Sequence, residues 1–110
     1  MKMKQKDKRK KHIDMEIEEH RLEQYYQSDD NWNCFSSFYA VIPDSKITLQ
    51  LLAILNGDIL LTKTIEGIVG DSSLEWVQRK IPALDNLTPL DCINNPVLFN
   101  RLKEMLMRMN

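Results

Sequence analysis

Residues 76–108 read WVQRKIPALDNLTPLDCINNPVLFNRLKEMLMR. Thr88-Pro89-Leu90-Asp91 is a complete helix start. The threonine oxygen can accept an orphan amide, proline suits the first helical position, and an acid in the first turn meets the positive end of the helix dipole. Asn95-Pro96 is a second start, and Ser72 with Glu75 three residues on is a capping-box pattern just upstream. Pro82 ends that upstream helix or follows shortly after it, because proline restricts the residue before it. Beyond Pro96, Leu98, Leu102, Leu106 and Met109 fall four, four and three apart, with Phe99 and Met105 beside them. That is one apolar stripe on a 3.6-residue period. Arg101, Lys103, Glu104 and Arg108 are left for the other faces, and Arg101 and Arg108, seven apart, are expected to share an outer one.

Working back towards the N-terminus, the helical pattern continues. Asp58 can cap a helix running through Leu61 and Ile65 to Val69, with Gly70 as its stop. Pro43-Asp44-Ser45 opens the helix before it, which carries Leu49, Leu51, Leu52, Ile54 and Leu55. Apolar on most sides, it is expected to be buried nearly all round. Gly57 then serves as a left-handed cap between the two. Trp32, Phe35, Phe38 and Tyr39 recur at helical spacing after a Ser28–Asn31 turn cluster, and residues 10–27 form a thin-faced helix on Ile13, Ile17, Leu22 and Tyr25. No alternating segment is bounded like a strand. The expectation is an all-α chain, a small helical bundle with a disordered basic tail. Its divisions are a flexible tail over 1–11, an N-terminal helical region over 12–66 and a C-terminal helical domain over 67–110.

Composition narrows the function. At 110 residues there is room for one modest domain. The net charge of -1 hides a polarised start: Lys2, Lys4, Lys6, Lys8, Arg9, Lys10 and Lys11 are followed by Asp14, Glu16, Glu18, Glu19 and Glu23. A run of this kind is a solvated tail in the first instance, and residues 1–11 are where any contact with DNA is expected. Cys34 and Cys92 are far apart and make no ligand spacing with His12 or His20, so reduced thiols in a cytoplasmic protein are expected, with no metal and no cofactor. Neither histidine stands in a recognisable pattern with an acid or nucleophile, so no enzyme is expected. The apolar residues 47–69 are broken by Asn56-Gly57-Asp58 and contain Lys63 and Glu66, which suits a hairpin in a core and not a membrane span. Ala53 and Gly57, four apart, would fit a helix-turn-helix, but the second helix offers only Lys63 to a nucleic acid. A small DNA-binding regulator, or a helical subunit of a larger assembly, is the alternative reading.

The C-terminal run resembles the toxin-binding domain of the MbcA/ParS/Xre antitoxins. The likeness covers residues 68–110 without a gap: Trp76-Val77 at the tryptophan pair, Leu84 at the turn leucine, Thr88-Pro89-Leu90-Asp91 as the short motif, and Leu102, Leu106 and Arg108 on the closing helix. Lys80 stands where the family usually has proline, and Asn86 and Leu98 where it usually has glycine. Asparagine also visits left-handed conformations, so Asn86 is a tolerable exchange. The resemblance implies a type II antitoxin that neutralises a RES-domain, NAD-consuming toxin by direct contact, as a homo-oligomer or a hetero-oligomer with the toxin. Arg101, Lys103, Met105 and Arg108 are the expected toxin-binding residues. Trp76, Leu84, Thr88, Pro89, Leu90, Asp91, Leu102 and Leu106 are the motif positions, with Trp76 largely in the core.

Overall fold

The computed structural model describes residues 21–109, and within them the chain is all-helical. The expected basic tail over 1–11 lies outside the described residues, as does most of the helix expected over 10–27. What is described of that helix is a single 3-10 turn, Leu22–Tyr25, which ends at an extended Tyr26. Ser28 then caps α1 (Asp29–Ser37), its Oγ accepting from the Asn31 amide. The α1 core face is Trp32, 4 % exposed; the Phe35 ring lies tilted against it at 6.2 Å between centres, and Tyr39, just beyond the helix, lies tilted against Phe35 at 5.5 Å.

Four of the five later helices begin where a short polar side chain meets an orphan amide, the short helix Ser73–Trp76 being the exception. Ser45 and Thr48 form a reciprocal capping box at the head of α2 (Lys46–Ile54). Asn56 and Gly57 take left-handed conformations, φ 59° and 74°, and turn the chain. Asp58 accepts from the Leu61 amide at 3.0 Å to start α3 (Ile59–Val69). Gly70, at φ 80°, stops it. A 3-10 turn, Gly70–Ser72, runs directly into the short α4 (Ser73–Trp76). A third 3-10 turn, Pro82–Leu84, is closed by Asp85 and Asn86, both left-handed, and an isolated bridge pairs Ile81 with Leu87. Asn86 thus takes the φ > 0 that the exchange with glycine requires. Thr88 and Asp91 form the capping box of α5 (Pro89–Cys92), and Asn95 Oδ1 accepts from the Val97 and Leu98 amides at the head of α6 (Pro96–Met109).

The centre of the molecule is α3. It packs against α1, α2, α4 and α6, and it buries five consecutive residues, Leu61, Thr62, Lys63, Thr64 and Ile65. This corrects the reading of α2. Leu49 of α2 is 64 % exposed and Ile54 38 %, because α3 and α4 cover α2 from one side only; it is α3 that is enclosed, through its middle from Leu61 to Ile65. Gly67 of α3 is where the ring of Tyr39 and the tip of Ile42 lie against the helix, and an added Cβ would collide with both. One continuous apolar cluster joins Leu22 and Trp32 to Leu51, Leu55, Leu61, Ile65, Val77, Leu84, Cys92, Leu102, Met105 and Leu106. Each leucine fully buried there contributes about 1.5–3 kcal/mol.

Two further expectations need correcting. Ser72 makes no cap; it already lies in the preceding turn (φ -88°, ψ 8°), and its neighbour Ser73 is buried, donating to the Gly70 carbonyl at 2.6 Å. Trp76 is only half-buried and packs on the edge of the core, whereas Trp32 is the tryptophan inside it.

Candidate protein-binding site on the last helix

The motif residues form one unit. Val77 and Leu84 are closed to solvent, the Leu90 amide donates to the Val77 carbonyl at 3.2 Å, and Thr88 and Asp91 exchange hydrogen bonds of 3.0 Å each. Those bonds hold the Asp91 carboxyl below its ordinary value, the Thr88 amide being the largest cause. Pro89 is buried and Leu90 half-buried. Behind this frame, Leu102, Met105 and Leu106 of α6 point into the core, while Leu98 is half-buried and Met109, the expected end of the stripe, is 45 % exposed.

The four expected contact residues separate sharply. Met105 is 5 % exposed and is core. Arg101 and Arg108, seven apart, lie on one flank of α6, but only Arg108 is open there: the Arg101 side chain is 11 % exposed against 51 %. Its Nε and Nη2 grip both carboxylate oxygens of Glu23, at 2.7 and 3.2 Å. This bidentate pairing lowers the Glu23 pKa and raises that of Arg101. Lys103 is nearly closed off too. Its ammonium lies 4.4 Å from the Phe99 ring centre and 4.7 Å from that of Tyr26, with Asp29 at 3.3 Å. Tyr26 donates to the same Asp29 oxygen at 2.7 Å. That bond, then the one from Lys103, lowers the Asp29 pKa, while burial and the neighbouring carboxylate raise that of Tyr26. Arg108 alone of the four stands at the surface, paired with Glu104 at 2.9 Å and lying 4.8 Å from the Tyr25 ring centre.

A segment of chain, residues 22–29, therefore crosses the outer face of α6. Sequence reading missed its anchors Glu23, Tyr26 and Asp29 as site residues, since pairs 78 and 74 residues apart leave no local signal. A groove opens on either side of this strap. One, of about 430 Å³, lies at the start of α6 among Ile93, Asn94, Pro96, Phe99 and Lys103. The other, of about 340 Å³, lies near its end among Tyr25, Gln27, Glu104, Met107 and Arg108.

The helix-turn-helix reading loses its one cation. Lys63 is 3 % exposed, and its ammonium is held by the Ile42 carbonyl and by Asp44 at 2.5 Å. Cys34 is exposed and Cys92 buried, with no bond between them; burial pushes the Cys92 thiol up to about 11. Among the described residues, no group of three or more histidines, cysteines and acids is placed to hold a metal ion, and no helix is long and apolar enough to cross a membrane. No family model, no curated protein and no solved structure matches the chain.

Proposed function

We propose that this chain is an antitoxin, which neutralises a RES-type, NAD-consuming toxin by direct binding through its C-terminal helices and carries out no reaction of its own. The supporting observation is the convergence of the motif. Val77, Leu84, Leu102 and Leu106 have no solvent exposure, and the Thr88–Asp91 cap and the Leu90–Val77 hydrogen bond lock the connecting turns between them. A unit tied in this way is a rigid platform, and an inhibitory protein needs a rigid surface with an apolar part and a few orienting charges. On α6 the outward residues are of that kind: Val97, 55 % exposed, Met109, and Arg108 with its Glu104 partner. An arginine so placed can make paired hydrogen bonds to a carboxylate or carbonyl of another protein.

The test is co-expression with the RES-type toxin that this reading expects in the neighbouring reading frame, scored by growth, by cellular NAD and by co-purification. Protection and co-purification are expected from the wild-type chain. Val97→Glu and Arg108→Glu, both at exposed positions, should weaken both readouts without loss of helicity. A wild-type chain that neither protects nor co-purifies ends the antitoxin reading.

A further inference from the structure

The cations of α6 are already occupied, and their occupant is informative. Glu23 fills the fork of Arg101, Asp29 and the Tyr26 ring hold Lys103, and Tyr25 lies under Arg108. An acidic, tyrosine-bearing peptide is thus seated across the helix, and it happens to belong to the same chain. Its hold is made by side chains. Within the strap, the Gln24 amide donates to the Arg21 carbonyl and the Tyr26 amide to the Glu23 carbonyl. Leu22 is its one buried side chain. At the far end, the Asp29 side chain is 74 % exposed, so its pairing with Lys103 is screened and weak. The grooves on both sides leave Lys103 and Arg108 approachable from beyond the strap's edges.

We propose that the outer face of α6, with Arg101, Lys103 and Arg108, is a receptor for an acidic, tyrosine-bearing segment of the partner protein, and that residues 22–29 are an internal competitor which that segment displaces. The recognition chemistry is general. A carboxylate matches a guanidinium fork through two parallel hydrogen bonds, and an ammonium is held by ring faces with an anion beside them. A partner presenting the same groups gains the same contacts. Its apparent affinity is reduced by the fraction of molecules in which the strap is down. The inference rests on the antitoxin reading only for the partner's identity, as the neutralised toxin; the receptor face itself is argued from this chain alone.

The experiment uses the full chain and a fluorescent synthetic peptide with the sequence of residues 21–30. Binding is compared between the wild-type protein and the variant Glu23→Gln/Asp29→Asn, which keeps the strap but removes its two carboxylates. The variant should bind the peptide on the order of tenfold more tightly than wild type. A control peptide carrying the same two exchanges should bind neither protein. Hydrogen exchange should show residues 22–29 less protected in the variant, with α3 unchanged. If the double variant loses helicity, Asp29→Asn alone carries the same comparison, its side chain being mostly exposed. Equal peptide binding by variant and wild type, or equal binding of the neutralised peptide, overturns the proposal. Concentration-dependent dimerisation of the wild-type chain that the variant loses would overturn it in another way, giving the face to the strap of a second copy. Failure to co-purify with a RES-type toxin, beside a positive peptide result, removes the antitoxin reading and leaves the receptor face standing.

Discussion

Lys63 gives the sharpest test of how the centre of this molecule works. Its side chain is 4 % exposed in the middle of α3, and its ammonium depends on the Ile42 carbonyl and on Asp44, whose own side chain is 67 % exposed. Removing each partner in turn should have unequal effects. Asp44→Ala leaves a buried ammonium with a single neutral acceptor. Loss of a hydrogen bond to a charged group costs about 1.5–3 kcal/mol, and the exposure of Asp44 places the value near the lower end. Lys63→Met removes the buried charge itself. The apolar chain fills similar space and escapes the desolvation cost, while the Ile42 carbonyl loses its donor. These effects oppose one another and should leave stability within about 1 kcal/mol of wild type. For a domain of this size 1 kcal/mol shifts Tm by about 4–8 °C, so Asp44→Ala should lower Tm by roughly 6–12 °C and Lys63→Met much less. Thermal unfolding followed by far-ultraviolet dichroism at physiological salt decides the order. A Lys63→Met variant less stable than Asp44→Ala would refute the argument, since the ammonium would then be a net contributor. The same variant bears on function. Nucleic-acid binding that disappears with Lys63→Met, in a protein of unchanged stability, would restore α3 as a reader of DNA.

Three other outcomes follow from the packing. Trp32→Ala should cost about 3–5 kcal/mol, as for a fully buried aromatic, and Trp76→Ala distinctly less; equal losses in urea unfolding would return Trp76 to the core. A thiol reagent at mildly alkaline pH should titrate one fast equivalent, abolished by Cys34→Ser, because Cys92 is buried and its thiol is raised to about 11; two fast equivalents would mean that the core opens readily. In acid, Glu23 should report the strap. Arg101 lowers its pKa below 4.5 in the folded state, so its contribution is complete above that value and is lost as the pH falls through the lowered one. Glu23→Gln should therefore flatten the acid limb of the stability curve, and an unchanged limb would show that the pair contributes nothing.

The elements that sequence reading located well share one property: their signals are local. Ser45, Asp58, Thr88 and Asn95 each bond an amide within the next three residues, and Gly57 and Gly70 are marked by the left-handed conformation they adopt. Such signals survive any tertiary arrangement. Ser72 was equally local but failed, because Gly70–Ser72 already formed a turn that fed α4 its first residues, so no cap was required. The burial of α2 and α3 was not local at all. Both read as apolar helices, and α3 even carries Thr62, Lys63 and Thr64. Which of the two is enclosed depends on how many neighbours reach it, and periodicity holds no record of that. The two tryptophans differ for the same reason.

The burial of Arg101 and Lys103 has a more particular cause, and it bears on the site. At about 100° per residue, Arg101 lies roughly 60° to one side of Leu98, and Lys103 about 60° beyond Leu106 on the other. Both are flanking positions of the apolar stripe. A helix half-sunk in a core leaves such flanks at the waterline, where a long cationic side chain can bury its stem and keep its head wet. That is the arrangement expected of α6 standing alone against α3 and α5. The strap adds a second layer. By crossing the outer face from Glu23 at one flank to Asp29 at the other, it closes both waterlines at once, and it satisfies with its own carboxylates the cations it covers. An apolar strap laid over the same face would have left two charged heads buried without partners, at a far greater cost than their present ion pairs. The acidic character of residues 22–29 is therefore set by α6, much as a partner's would be. That is why the composition of the strap can be read as a description of what α6 binds, and why losing the carboxylates without losing the strap is the informative perturbation.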